Sequence, residues 1–329
     1  MNAQNALIAG WTSLGAAALV SYPVLKLLVA LKSRQTISQY APEGHQAKQG
    51  TPTMGGLIIV LGMLAALVVC GVQGYVQSRI LLSAWVAVLG FGAIGFIDDF
   101  VVPRVWTSKR GLGWKQKIVM QFLVGIPCAV LLLGSASSTM SIGIATILIL
   151  FFSNAYNFSD GLDGLSGTLG LLLCTGLATT AWLLGIADVP VLALGLAGGF
   201  IPFLVLNAPP ARVFMGDVGS LPIGGVIGLL MCAIVFTEGA INSLTIPLAL
   251  AVMSLVMVVE LVPVPLQIFW VKVFKKRLFS FTPIHHAFEK KGWPESRVLW
   301  SFCLAQFVLT AIAVSLLVFT LPGGSNGLE

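Results

Sequence analysis

Charge is what this 329-residue chain has least of: Asp, Glu, Lys and Arg make up 9% of it, against 57% hydrophobic side chains. A water-soluble domain carries roughly a quarter charged residues, so a soluble globule is excluded. Cysteine is present without a usable pattern. Cys70, Cys128, Cys174, Cys232 and Cys303 fall one apiece in separate apolar runs with no CxxC spacing, which excludes a zinc motif and a disulfide framework and leaves packing. No basic cluster precedes the first apolar run and no clear small-x-small cleavage site marks it, so it reads as a retained helix rather than a signal peptide. No internal repeat is visible, which argues against the design of secondary transporters.

What the chain does have is apolar runs of membrane-crossing length. A helix needs about 20 residues to cross a ~30 Å hydrocarbon core. Ten such spans can be marked, at 8–31, 54–72, 78–97, 118–134, 141–157, 165–186, 190–206, 221–237, 243–270 and 298–320. The expectation is an all-α polytopic membrane protein, a single integral membrane domain over 1–329. Lys and Arg accumulate on the cytoplasmic side of such proteins. Outside the spans they fall in 32–53, 98–117, 207–220 and 271–297, with Arg79 alone on the opposite side. That asymmetry places these loops and 158–164 in the cytoplasm and both termini outside. The basic loops set topology and can also hold anionic substrate or lipid headgroups.

The polar constellations all fall at the cytoplasmic ends of spans. Asp98 and Asp99 close the third span, where a helix C-terminus favours Lys or Arg over acids. Adjacent carboxylates there point to a metal-phosphate or acid/base site. Asn154, Asn157 and Asp160 recur every third residue and share a helix face, followed by Gly161, Leu162, Asp163 and Gly164 in a doubled Asp-Gly pattern that lets backbone amides approach a ligand. After Asn207 comes Phe214-Met215-Gly216-Asp217-Val218-Gly219-Ser220. Asp217 suits a magnesium ion shared with substrate phosphate, or a helix cap; Ser220 suits an N-cap; Phe214 is open to stacking on a base or to anchoring at the interface. His285 and His286 form a pair in a basic loop, fit for phosphate donation or proton transfer, while His45 stands isolated. Glu260 lies inside the ninth span just before Pro263 and Pro265. An acid at that depth faces protein or a polar notch, and the prolines kink or break the helix.

Taken together, Lys48-Gln49-Gly50-Thr51-Pro52-Thr53-Met54-Gly55-Gly56, the Asp pair, NxxNxxDGxDGL, N-x6-FMGDVGS and PIHH-x-x-E-x-x-GWPE resemble the phospho-MurNAc-pentapeptide transferase family of the polyprenyl-phosphate N-acetylhexosamine-1-phosphate transferase superfamily. The motifs run over residues 48–295. The resemblance implies a bacterial cytoplasmic-membrane enzyme that needs Mg2+ and joins UDP-MurNAc-pentapeptide to undecaprenyl phosphate, giving lipid I and UMP at the cytoplasmic face. It further implies Asp217 as metal ligand and Asp98, Asp99, His285 and His286 among the catalytic residues. Lys48, Thr53, Asn154, Asn157, Asp160, Gly161, Leu162, Asp163, Asn207 and Phe214 match substrate-binding positions. The implied partners are the two substrates and the lipid bilayer, with no nucleic acid; a homodimer is an open option. Whether an Asp of the pair orients or deprotonates the lipid phosphate, or attacks as a nucleophile, is left open. A related transferase using UDP-GlcNAc is the neighbouring alternative, and PIHH favours the muramyl substrate. A CDP-alcohol phosphotransferase needs a DGxxAR continuation that DGLDGLSG does not provide. Two departures stand out: Ala287 replaces a third histidine, and Val102 occupies a place commonly held by Lys, so Arg104, Lys109, Lys115 or Lys117 has to supply that charge.

Overall fold

The computed structural model describes residues 3–31, 50–105, 111–134, 136–237 and 244–320. Lys48, His45 and Lys109 lie outside the described residues. The regular structure of the described residues is all helical: α1 (Ala3–Ala30), α2 (Leu57–Gln73), α3 (Ser78–Phe96), a π-helical turn (Ile97–Val101), α4 (Val102–Val105), α5 (Trp114–Leu133), α6 (Thr139–Ser159), α7 (Leu165–Leu183), α8 (Asp188–Asn207), α9 (Asp217–Val235), α10 (Thr245–Met253), α11 (Leu255–Leu261), α12 (Pro263–Phe274), α13 (Ile284–Lys290) and α14 (Glu295–Thr320). Nine helical stretches among the described residues are long and apolar enough to cross a membrane, and α2 is a shorter apolar helix of 17 residues. The ten expected spans correspond to these elements. Local chemistry sets several ends. Gly74 takes the left-handed conformation (φ 64°) that closes α2, and Ser138 caps α6 by accepting from the Ser141 N–H at 3.1 Å.

Two spans differ from the expected form. The third does not stop at Asp98 and Asp99: it passes through the π turn and continues to Val105. The acids are therefore not at a helix end. A wider π turn narrows the angle between consecutive side chains, which lets both carboxylates face the same side, and such turns recur at functional sites. The ninth span is three helices rather than one bent helix. Ser254 interrupts it where its Oγ bonds back to the Leu250 carbonyl at 2.8 Å, and Pro263 opens α12 as the proline pattern predicted. Pro263 is the sole fully buried residue of α12, and Gln267 ties the helix to the chain that follows by accepting from the Leu278 and Phe279 N–H groups at 3.0 and 2.9 Å.

α9 is the hub. It contacts α2, α3, α5, α6, α7, α8, α10 and the π turn, and it is buried almost all round. In a bilayer, helices gain little from the hydrophobic effect against one another, so close approach through small residues does the packing. Gly224 and Gly228, one helical turn apart, let α9 lie directly on the α6 backbone at Phe152, Ser153 and Ile149, while Gly225 admits the Phe91 ring of α3. Gly95 of α3 touches the main chain of Asp217 itself, so closely that a Cβ has no room. Polar ties reinforce this packing: Ser153 Oγ donates to the Leu221 carbonyl at 3.0 Å, and Ser83 Oγ to that of Cys128 at 2.8 Å. All five cysteines are free and buried, in keeping with a packing role.

A bulky residue at the α6–α9 seam should be costly. Gly224→Val is expected to lower the thermal midpoint of the detergent-solubilised protein, since overpacking costs about 1–3 kcal/mol. Gly143→Val, at a glycine with open space around it, is the control that should change the midpoint little.

Candidate functional site

The motifs meet at one end of the bundle. Residues 52–56 run beside 214–215: the Phe214 N–H donates to the Pro52 carbonyl at 2.8 Å, Gly55 N–H to Phe214 at 2.7 Å and Gly56 N–H to Met215 at 2.9 Å. This bridge brings Thr53 to Gly216, whose positive φ of 73° turns the chain into α9. Where a Cβ would stand on Gly216, Asp99 Oδ2 lies at 2.6 Å and Thr53 Oγ1 at 2.8 Å. Only glycine fits that turn, in conformation and in space.

Asp217 follows as the first residue of α9, where the helix dipole favours a carboxylate. Its side chain caps nothing; Oδ1 accepts from Asn157 Nδ2 at 2.7 Å and Oδ2 from Lys117 Nζ at 2.5 Å. Asn157 also donates to Ser220 Oγ at 2.8 Å. Ser220 therefore sits in the first turn of α9 and is not its N-cap. Asp98, Asp99 and Asp217 each offer an oxygen within 4.8 Å of the others. Lys117 reaches Asp98 Oδ2 at 3.2 Å as well as Asp217. Of Arg104, Lys115 and Lys117, the cations considered for the missing charge that are among the described residues, Lys117 is the one that supplies it. Arg104 instead turns to the Leu31 carbonyl (2.8 Å) and lies over the Phe100 ring (3.5 Å). Two further oxygens are held by backbone: Leu112 N–H donates to Asp98 Oδ1 at 2.7 Å and Val218 N–H to Asp99 Oδ2 at 3.0 Å.

The Asn ladder divides by function. Asn154 exchanges amide hydrogen bonds with Gln121 of α5 at 2.7 and 3.2 Å and donates to the Leu150 carbonyl, so it braces α5 against α6 rather than facing the cluster. Asn157 grips Asp217, as above. Asp160 accepts from Ser166 Oγ at 2.7 Å and from the Gly216 backbone. Burial is the main reason its carboxyl is pushed up to about 6; the Asp217 charge adds to the shift, while the Ser166 bond, the Gly216 amide and His285 work against it.

The doubled Asp-Gly turn is strapped to the next loop. Asn207 Oδ1 accepts from Gly164 N–H at 3.0 Å, and its Nδ2 donates to the Val213 carbonyl at 2.9 Å. Asp163 Oδ2 accepts from Ala211 N–H at 2.9 Å, while its own N–H donates to Glu295 Oε1 at 3.0 Å. Leu162, Asp163 and Asn207 are buried, so in this state their work is to shape the turn, and Phe214 keeps a half-buried ring beside it. Of the histidines, His286 is partly exposed and pairs through Nδ1 with Glu289 Oε2 at 2.6 Å. His285 is fully buried against Gly161 and bonds Glu260, so it does not reach out as a direct phosphate donor. Gln121 and Ser166 were given no role by sequence reasoning, and Glu295 entered it only as the last residue of the GWPE motif; the only signal for Gln121 was an amide inside an apolar span.

Residues 81–235 match the family model described as Glycosyl transferase family 4, and residues 48–60 match phospho-N-acetylmuramoyl-pentapeptide-transferase signature 1. Similar curated proteins bear the name phospho-N-acetylmuramoyl-pentapeptide-transferase. The one from Bacillus licheniformis is 34% identical over 90% of this chain and 93% of its own. Those from Moorella thermoacetica and Bacillus subtilis are 36% and 32% identical over the same shares.

A carboxyl with a raised pKa holds its proton more tightly in the folded protein, so its contribution to stability is present below the usual carboxylate range and is lost as pH rises through about 6. An infrared band of protonated carboxyl should accordingly vanish between about pH 5 and about pH 7. Asp160→Asn should remove that step.

Proposed function

Because the chain belongs to the phospho-N-acetylmuramoyl-pentapeptide-transferase family, we propose that it transfers phospho-MurNAc-pentapeptide from UDP-MurNAc-pentapeptide to undecaprenyl phosphate, giving lipid I and UMP in peptidoglycan biosynthesis. The observation that carries the reading is the cluster of Asp98, Asp99 and Asp217 with Lys117 set between two of them. In this reading the whole chain is one membrane domain of the bacterial cytoplasmic membrane, with both termini outside and the cluster at the cytoplasmic face. That face is where a soluble nucleotide meets a lipid phosphate.

The donor set fits a magnesium ion. Three hard carboxylate oxygens converge, and among the described residues a single lysine faces them, which leaves negative charge in excess. Asp217 would hold the ion, with Asp98 or Asp99 beside it. When bound, Mg2+ supplies charge neutralisation on the transferring phosphoryl group and the departing UMP. Asn157 keeps the Asp217 carboxylate oriented, and Lys117 adds a positive charge on the same side. A phosphate monoester has a second pKa near ~6 and is mostly dianionic at neutral pH. The Asp pair therefore works mainly by orienting the lipid phosphate rather than by removing a proton. The turn at Asp160, Gly161, Leu162 and Asp163, held by Asn207 and flanked by Phe214, carries the nucleoside, with Thr53 at its polar edge; Lys48 is assigned to the same edge by its motif alone. His286, partly exposed and beside the buried His285, is assigned to the edge of this nucleoside site.

Purified protein supplied with Mg2+ and polyprenyl phosphate should release UMP from UDP-MurNAc-pentapeptide. Release from UDP-GlcNAc alone would overturn the substrate assignment. Asp217→Asn should abolish magnesium-dependent turnover, and near-normal activity in that variant sinks the metal assignment. Lys117→Met should slow UMP release by roughly 10²-fold or more, the scale of losing one donor aimed at developing charge.

A further inference from the structure

Glu260 is fully buried in α11, at the break of the ninth span, with no part in the site as built above. Its Oε2 lies 2.7 Å from His285 Nδ1, and His285 is equally buried. Among the described residues, Glu260 Oε1 and His285 Nε2 have no hydrogen-bond partner. The two side chains are thus joined by one strong bond, and the free ring nitrogen is turned toward Gly161, whose missing Cβ leaves the ring its place. Asp160, next in the chain, feels the same ring electrostatically. An imidazole has two tautomers and two ring orientations, and a carboxylate on Nδ1 selects one of each.

We propose that Glu260 is a positioning residue for the transfer reaction: by accepting Nδ1–H it fixes the His285 ring against the Asp160–Gly161 turn, and through that turn it sets affinity for the nucleotide substrate. The proposal rests on the transferase reading, which assigns the nucleoside to this turn. A ring released from Glu260 rotates, and its new edge displaces the Gly161 backbone it packs on. The lipid phosphate meets the Asp98–Asp99 side of the cluster and is not disturbed. A carboxylate that merely filled the helix break would, when removed, reduce the amount of folded enzyme and leave substrate affinity alone.

The chain holds only three histidines, so 15N-histidine labelling resolves them, and His285 is assigned by the signal lost in His285→Gln. In the resting wild-type protein His285 should be protonated at Nδ1. Glu260→Met, which lacks an acceptor, should lose that preference. It should also raise KM for UDP-MurNAc-pentapeptide roughly tenfold, with kcat and the KM for polyprenyl phosphate changing less than about threefold. Glu260→Gln keeps an oxygen of the same reach and should retain both Nδ1–H and a near-wild-type KM, which also covers the case of a Met variant that does not fold. An unprotonated Nδ1 in the wild type, or a loss in Glu260→Met confined to kcat, overturns the proposal. So does a Gln variant that retains Nδ1–H with KM raised tenfold. A wild-type enzyme that releases no UMP would instead refute the transferase reading, while the spectrum still judges the Glu260–His285 bond.

Discussion

Like charges held together in a mostly apolar protein are the constraint around which this fold is arranged. Among the described residues three carboxylates share a space of 4.8 Å, and one lysine faces them. Such a cluster is tolerable only where water, cations and backbone amides can reach it, which confines it to a bundle end. Each acid is accordingly met by a donor from a different element: Leu112 after the π turn for Asp98, Val218 of α9 for Asp99, and Asn157 of α6 with Lys117 of α5 for Asp217. The cluster is therefore also a junction of helices.

Those helices can meet so closely because of what their sequences leave out. Gly95 allows α3 to touch the first residue of α9, and Gly224 with Gly228 seats α9 on α6. The carboxylates are thus placed by backbone contact rather than by long, mobile side chains, which is the kind of rigidity that phosphoryl transfer requires. By contrast α12, with one buried residue, is free of such packing.

Much of this was legible in the sequence because hydrophobic run length and the placement of Lys and Arg are signals of single residues and short windows. The ten spans, the break at Pro263 and the gathering of motifs at one end follow from them. Pairing across the bundle was less legible. Asn154 and Asn157 are equivalent by spacing, yet one braces Gln121 and the other grips Asp217; only the neighbouring helix distinguishes them. The π turn also escaped, because Ile97 to Val101 carries no proline or glycine to announce it. Lys117 was one of four cations of equal standing until packing brought α5 beside α9.

The central position of α9 has a consequence for how the protein is made. Chains emerge from the ribosome N-terminus first, so Asp98, Asp99 and Lys117 enter the membrane well before Asp217 is synthesised. The helices that surround α9 at its eventual place include α2, α3, α5, α6, α7 and α8, all of them earlier in the chain. Until α9 arrives these helices can pair among themselves but lack the element they share as a neighbour, and the acidic pair lacks both the Val218 amide and the Gly216 turn. Assembly of the site is thereby tied to the last third of translation, and a chain truncated before residue 217 has the early helices but no centre for them to close upon.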